Sequence, residues 1–124
     1  MVRRLLFVFR HAPQGTIVGQ EGLDVLLTGG AFEQDISVLF MDDGVYQLLA
    51  GQDASAIGGK DYTRAFGALG DFCETLQNGQ GVFVESLSLE QRGIDPDDLS
   101  IPVEVVGQDV VKALFEGRHA VLNF

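Results

Sequence analysis

The chain has 124 residues, a length that suits one domain built around a single buried core. Apolar residues make up 46% of it and the mean hydropathy is +0.18, so we expect part of the apolar surface to be buried against partner subunits. The net charge of −10 argues against the lysine and arginine surface that binds phosphate backbones. We therefore predict no direct contact with nucleic acid, although the acidity also serves solubility alone.

The beginning of the chain predicts a first strand rather than a leader or a membrane anchor. Its apolar run, residues 5–9, ends at Arg10 and His11 and is far shorter than the roughly 18–20 residues that cross a bilayer. Cys73 is the single cysteine, so an intrachain disulfide is impossible and nothing indicates an oxidising compartment. We expect one cytoplasmic domain, residues 1–124, with no membrane-bound part.

β-branched and aromatic residues form five short runs typical of strands that are buried on both faces. Helical spacing of apolar residues follows the first run, at 19–32, and recurs at 61–72 and at 108–116, while a short helix at 42–49 opens on two carboxylates. The predicted strands are residues 5–9, 36–41, 82–84, 103–106 and 120–124. This alternation predicts an α/β fold, a three-layer α/β/α sandwich around a mostly parallel five-stranded sheet.

Ligands of open parallel sheets bind outside the carboxyl ends of the strands, and this rule selects the candidate site residues. Three loops are predicted there, one after each of the first three strands. The candidates are His11, Gly15 and Thr16 after the first strand, Asp42 and Asp43 after the second, and Glu85 and Ser86 after the third.

Several of these candidates have two open interpretations. His11 is either a general base or an ordinary surface side chain. The loop through Gly15 and Thr16 either binds an anion at a helix start or only begins the helix, with Thr16 as its cap. Asp42 and Asp43 either bind Mg²⁺ or stabilise a helix N-terminus.

Cys73 is predicted to be a buried or inert thiol. It follows a helical stretch and has the carboxylates of Asp71 and Glu74 as near neighbours in the chain. Reactive cysteines need a cation or a helix N-terminus that stabilises the thiolate, and neighbouring acids do the opposite.

Several strings along the chain resemble the TusC/DsrF subunit family. They begin with Ala-Pro-Gln-Gly-Thr at 12–16 and Glu-Gly-Leu-Asp-Val-Leu-Leu at 21–27, continue with Asp-Gly-Val-Tyr-Gln-Leu-Leu at 43–49 and Gly-Gln at 51–52, and end with Asp-Tyr at 61–62, Ser-Leu at 86–87 and Gln-Arg-Gly-Ile at 91–94. The match spans nearly the whole chain and keeps the family's order and spacing.

The resemblance implies a subunit of a sulfur relay. Small α/β subunits of the TusB/DsrH and TusD/DsrE types assemble with this type into a heterohexamer, and the D-type subunit passes a persulfide to a TusE/DsrC-type acceptor. The pathway leads either to 2-thiolation of the tRNA wobble uridine or to intracellular sulfur oxidation, and the sequence leaves both open. The resemblance implies no cofactor and no metal.

Glu85 is the point at which the chain departs from its catalytic relatives. By resemblance, their sulfur-carrying cysteine ends a strand eight residues before the glycine of an Arg-Gly pair, and counting back from Gly93 leads to Glu85. A carboxylate cannot carry zero-valent sulfur reversibly, and Cys73 stands twelve positions too early to replace the cysteine. The resemblance therefore implies a non-catalytic subunit with Glu85 at the active-site-equivalent position.

Two alternatives from other functional classes stay open. One is a homo-oligomeric binding module with the same fold and no sulfur role. The other is a stand-alone enzyme that uses His11, Asp42 and Asp43 around a metal or a phosphate.

Overall fold

The computed structural model describes residues 4–12, 17–30, 35–49, 81–117 and 120–124, and of residues 27–30 only the backbone. Its strands are β1 (Arg4–Phe9), β2 (Asp35–Phe40), β3 (Val82–Glu85), β4 (Glu104–Val106) and β5 (Ala120–Asn123), and its helices are α1 (Val18–Gly30), α2 (Ser86–Arg92) and α3 (Gln108–Glu116). Two 3-10 helices occur at Asp42–Leu48 and Pro96–Asp98. The predicted helix at 61–72, Gly15, Thr16 and Cys73 lie outside the described residues.

The strands form one sheet in the order β4-β3-β2-β1-β5, and each neighbouring pair is parallel. The predicted strands occur with ends shifted by no more than one residue. In the register, Phe9 lies beside Phe40 and Glu85 beside Val106, so the carboxyl ends of the strands share one edge. This arrangement confirms the predicted α/β fold with its parallel five-stranded sheet.

Helices cover both faces of the sheet because consecutive strand residues point to opposite sides. On one face, Phe7 and Phe9 pack with Leu23 and Leu26 of α1. On the other face, sheet residues pack against α3: Leu6, Val8 and Leu39 contact Val111 and Leu114. The two apolar clusters make the three layers that the sequence predicts.

Helix α2 was not predicted, because a seven-residue segment that buries only Ser88 and Leu89 carries little helical periodicity. Its end is well defined. Gly93 adopts a left-handed conformation with φ of 64°, its N–H donates to the Glu90 carbonyl, and the Ile94 N–H donates to the Leu89 carbonyl. This pair of bonds is a Schellman cap, and Ile94 and Leu89 belong to the same apolar cluster.

The predicted short helix at 42–49 is a 3-10 helix, Asp42–Leu48. Its N-cap residue is Met41, whose side chain makes no capping hydrogen bond, while both aspartates lie in the first turn. Asp42 has a positive φ of 52°, which a β-carbon disfavours. The chain therefore turns sharply where β2 ends, and this turn brings the two aspartates to the carboxyl edge of the sheet.

A search of the described residues finds no helix that is both long enough and apolar enough to span a membrane.

Candidate functional site at the carboxyl edge

The carboxyl edge of the sheet brings together the loops after β2 and β3, and the described start of the loop after β1 contacts the segment after β2 through Arg10 and His11. Glu85 is the last residue of β3, and a chain of hydrogen bonds through α2 joins it to Asp42. The loop after β1 is described only as far as residue 12. These contacts define a polar cluster, which we call the Glu85 cluster: Asp42, Asp43, Glu85, Ser88, Arg92 and Gln108.

Glu85 is buried, with only 5% of its surface exposed. Each of its carboxylate oxygens accepts a hydrogen bond from a different helix. The Ser88 hydroxyl of α2 donates to Oε1 at 2.5 Å, and the Gln108 amide at the start of α3 donates to Oε2 at 3.1 Å. The buried carboxyl is thus satisfied by two neutral donors, as a buried polar group must be to avoid a large desolvation cost.

Ser88 connects Glu85 to the loop after β2. It is 1% exposed, and while its proton points to Glu85, its oxygen accepts the backbone N–H of Asp42 at 2.8 Å. One hydroxyl therefore links the end of β3, helix α2 and the turn that follows β2. The bond also holds Asp42 in its positive-φ conformation.

The side chains of the two aspartates point towards arginines. Asp42 Oδ2 lies 3.8 Å from Arg10 NH1, and both side chains are substantially exposed. Asp43 Oδ1 accepts from Arg92 Nε at 3.1 Å and from Arg92 NH2 at 2.9 Å. Arg92 NH1 also donates to the Ser88 carbonyl at 3.2 Å, so this arginine ties the loop after β2 to α2.

Within the described part of the chain, metal ligands are not gathered around these acids. Among the described residues, no group of three or more histidine, cysteine, aspartate or glutamate side chains is placed to hold a metal ion. Asp42 and Asp43 instead face Arg10 and Arg92, which neutralise charge that a cation would otherwise meet.

His11 and Ser86 take little part in the Glu85 cluster. The His11 side chain is exposed, and its backbone carbonyl accepts a hydrogen bond at 2.9 Å from the amide of Gln47, which is buried. Ser86 is the half-buried first residue of α2. The hydroxyl that contacts Glu85 belongs to Ser88, two residues farther along the chain.

Sequence reasoning missed three members of the cluster: Ser88, Arg92 and Gln108. Ser88 follows Glu85 by three residues, and side chains at this spacing lie close together only on a helix. Because α2 was not predicted, neither was this contact. Gln108 is 23 residues away from Glu85. Its proximity follows from the parallel pairing of Glu85 with Val106, two residues before it, and this register cannot be read from the chain.

A concavity lies at the opposite, amino edge of the sheet. It has a volume of about 330 Å³ and is bounded by the first residues of β1 and β2, Arg4 and Asp35, and by Val110, Ala113 and Leu114 of α3. No predicted site residue lines it.

Comparison with known proteins identifies the family. The model of the DsrE/DsrF-like family matches residues 3–124. The chain belongs to this family. The intracellular sulfur oxidation protein DsrF of Allochromatium vinosum is 43% identical to this DsrE/DsrF-like chain over 110 residues, which are 89% of this chain and 75% of DsrF.

Relatives named TusC are equally similar to this DsrE/DsrF-like chain. A TusC homolog of Vibrio parahaemolyticus is 41% identical over 121 residues, 98% of each protein, and TusC of Escherichia coli is 43% identical over 95 residues, 77% of this chain and 76% of TusC. These relatives confirm the resemblance to TusC/DsrF subunits. The crystal structure of the ychN protein of Escherichia coli superposes over the whole of both chains with a TM-score of 0.75 at 20% identity, which supports the fold alone.

Proposed function

We propose that this TusC/DsrF-type chain is a non-catalytic subunit of a heteromeric sulfurtransferase complex, in which a cysteine of another subunit carries the sulfur as a persulfide. TusB/DsrH-type and TusD/DsrE-type subunits are its partners in a heterohexamer. A TusE/DsrC-type protein accepts the sulfur, for tRNA wobble-uridine 2-thiolation or for intracellular sulfur oxidation. The names TusC and DsrF of the relatives support this assignment.

The identity and setting of residue 85 carry the proposal. In a relay step, a thiolate attacks the outer sulfur of a persulfide, the S–S bond breaks, and the donor cysteine leaves as a thiolate. Glu85 stands buried at the carboxyl end of β3, where the resemblance places the sulfur-carrying cysteine, and a carboxylate has no sulfur with which to attack. The chain therefore serves the reaction as a structural neighbour of the transferring cysteine.

Co-expression with D-type and B-type subunits, followed by size-exclusion chromatography, tests the assembly. We expect a stable hetero-oligomer that contains all three chains. When the purified complex is charged with labelled persulfide sulfur, the label should appear on the D-type subunit and not on this chain.

A Cys73→Ser variant of this chain is the matched control for that experiment. Sulfur loading and transfer should stay within about twofold of the unaltered complex, because the thiol of Cys73 takes no part in the relay. A chain that remains folded but separate from both partners would contradict the proposal, and so would loss of transfer in the Cys73→Ser complex.

A further inference from the structure

The hydrogen bonds around Glu85 constrain the kind of chemical group that can end side chain 85. Ser88 has one hydroxyl proton, and its oxygen already accepts the N–H of Asp42 at 2.8 Å. The proton is therefore directed at Glu85 Oε1, and the Gln108 amide directs a second proton at Oε2. In this arrangement both Ser88 and Gln108 donate, so the group at the end of side chain 85 accepts both bonds.

These donors come from separate helices that are anchored independently of residue 85. Ser88 is 1% exposed on α2, whose other buried residue, Leu89, packs in the core. Gln108 begins α3, which is held to the sheet by Val111 and Leu114. The backbone positions of the two donors thus follow from the packing of α2 and α3 and not from Glu85 itself, with Ser88 buried and the Gln108 side chain exposed.

An anion that only accepts hydrogen bonds satisfies both donors at once. A carboxylate does so with two oxygens, and a perthiolate does so with the lone pairs of its terminal sulfur. The terminal sulfur of a cysteine persulfide stands three bonds from Cα and a glutamate oxygen stands four. Since C–S and S–S bonds are longer than C–C and C–O bonds, the two anions reach comparable distances from the backbone.

We propose that Ser88 and Gln108 form an anion pocket for the end of side chain 85, and that the Glu85 carboxylate occupies it as a permanent counterpart of a sulfur-loaded cysteine. The sulfur side of this inference rests on the proposed function, whereas the pocket rests on the hydrogen bonds alone. Ser88 and Gln108 act as positioning residues in it.

A Glu85→Cys variant in a Cys73→Ser background tests the pocket on the isolated chain. The short thiol leaves the buried Ser88 hydroxyl without its acceptor and the exposed Gln108 amide with water alone, so the thermal midpoint should fall by at least about 3 °C. Treatment with inorganic tetrasulfide then loads the thiol. The introduced thiolate attacks a terminal sulfur of the tetrasulfide, an S–S bond breaks, the trisulfide dianion leaves with the electron pair, and a perthiolate remains on the chain.

Loading with sulfur should raise the thermal midpoint most of the way back to its value before the Glu85→Cys change. Mass spectrometry confirms the addition of one sulfur atom. Methyl methanethiosulfonate provides the matched control, because it adds a methylthio group with loss of methanesulfinate and yields a neutral disulfide in place of the anion. This neutral group should leave the midpoint low. Equal recovery with both reagents, or no recovery after complete loading with tetrasulfide, would overturn the pocket.

A second set of variants keeps the inference testable if Glu85→Cys does not fold. Glu85→Leu removes both acceptors and adds no donor that the Gln108 amide could meet by turning over, so it should lower the midpoint by about 3 °C or more in the unaltered chain. The loss should be clearly smaller when Gln108→Ala has already removed a pocket donor, whereas Gln91→Ala, an exposed glutamine of α2, should leave the loss unchanged. Equal losses in all three backgrounds would refute the positioning role of Gln108.

The outcomes separate this inference from the proposed function. If tetrasulfide does not restore the thermal midpoint of the Glu85→Cys variant, but the chain still assembles with the D-type and B-type subunits, the anion pocket alone is overturned. Rescue in a chain that joins neither subunit supports the pocket and overturns the relay assignment.

Discussion

Gly44 shows how one residue fixes the turn that follows β2. A β-carbon at this position would lie 1.7 Å from the Phe9 carbonyl oxygen and 2.3 Å from the Phe9 carbonyl carbon. The neighbouring Met41 N–H donates to the same carbonyl at 3.1 Å. The turn therefore rests directly on the end of β1, and this close approach leaves room only for glycine.

We predict that Gly44→Ala lowers the free energy of unfolding by about 3 kcal/mol or more, because the clash is with backbone atoms that cannot move without disturbing β1. Urea denaturation measures the loss. Gly117→Ala is the control: its φ of −85° suits alanine and the nearest atom lies 3.3 Å from the added carbon, so we expect a change below about 1 kcal/mol. Similar losses at both positions would disprove the backbone clash.

At the scale of elements, helix α2 is attached to the turn after β2 by two kinds of contact. The buried contact is the Ser88 hydroxyl, which bonds to both Glu85 and Asp42. The outer contact is Arg92, 19% exposed, whose guanidinium meets the Asp43 carboxylate and the Ser88 carbonyl at the same time. A planar guanidinium spans these acceptors because its donors diverge in a fixed geometry.

Arg92→Lys should therefore cost about 1 kcal/mol of stability although it keeps the charge, since a single ammonium cannot reproduce the set of bonds. Chemical denaturation gives the difference. Lys112 supplies the comparison, because its pairing with Glu116 at 3.9 Å is between two well-exposed side chains one helical turn apart. Lys112→Ala should change stability by no more than about 0.5 kcal/mol. A harmless Arg92→Lys would show that α2 does not depend on this arginine.

At the scale of the whole molecule, the net charge of −10 destabilises the folded state because like charges repel each other across a small protein. In the described part of the chain, Asp95, Pro96, Asp97 and Asp98 form an exposed turn that adds three of these charges within four residues. Salt screens repulsion between exposed charges over distances beyond about 10 Å at 0.1 M and about 3 Å at 1 M.

We accordingly expect the thermal midpoint to rise by a few degrees between low salt and about 0.5 M NaCl. Asp97→Asn/Asp98→Asn should shrink that rise, because two of the repelling charges are removed from a surface turn without loss of burial. Calorimetry at a series of salt concentrations measures both. A midpoint that falls with salt would mean that attractive ion pairs, such as those of Arg10 and Arg92, outweigh the repulsion.

Much of the fold could be predicted because its signal is local. Continuous β-branched and aromatic runs are buried on both faces of the sheet, as in β1 and β2, and their length and spacing mark strands without reference to anything distant. The periodicity of Val111 and Leu114 likewise marks α3 before its partners on the sheet are known. Helix α2 was not predicted because it is short and five of its seven residues are polar.

The sequence by itself determined the fold class, the family and the presence of a glutamate at position 85, since each depends on residue type, order and spacing along the chain. Only the tertiary structure decided what surrounds that glutamate. Ser88 reaches it through a helix turn and Gln108 through the β3–β4 register, while Asp42 reaches Ser88 through the turn over β1. These contacts join residues up to 46 positions apart. Contacts between residues so distant in sequence depend on packing and strand pairing, which no local pattern encodes.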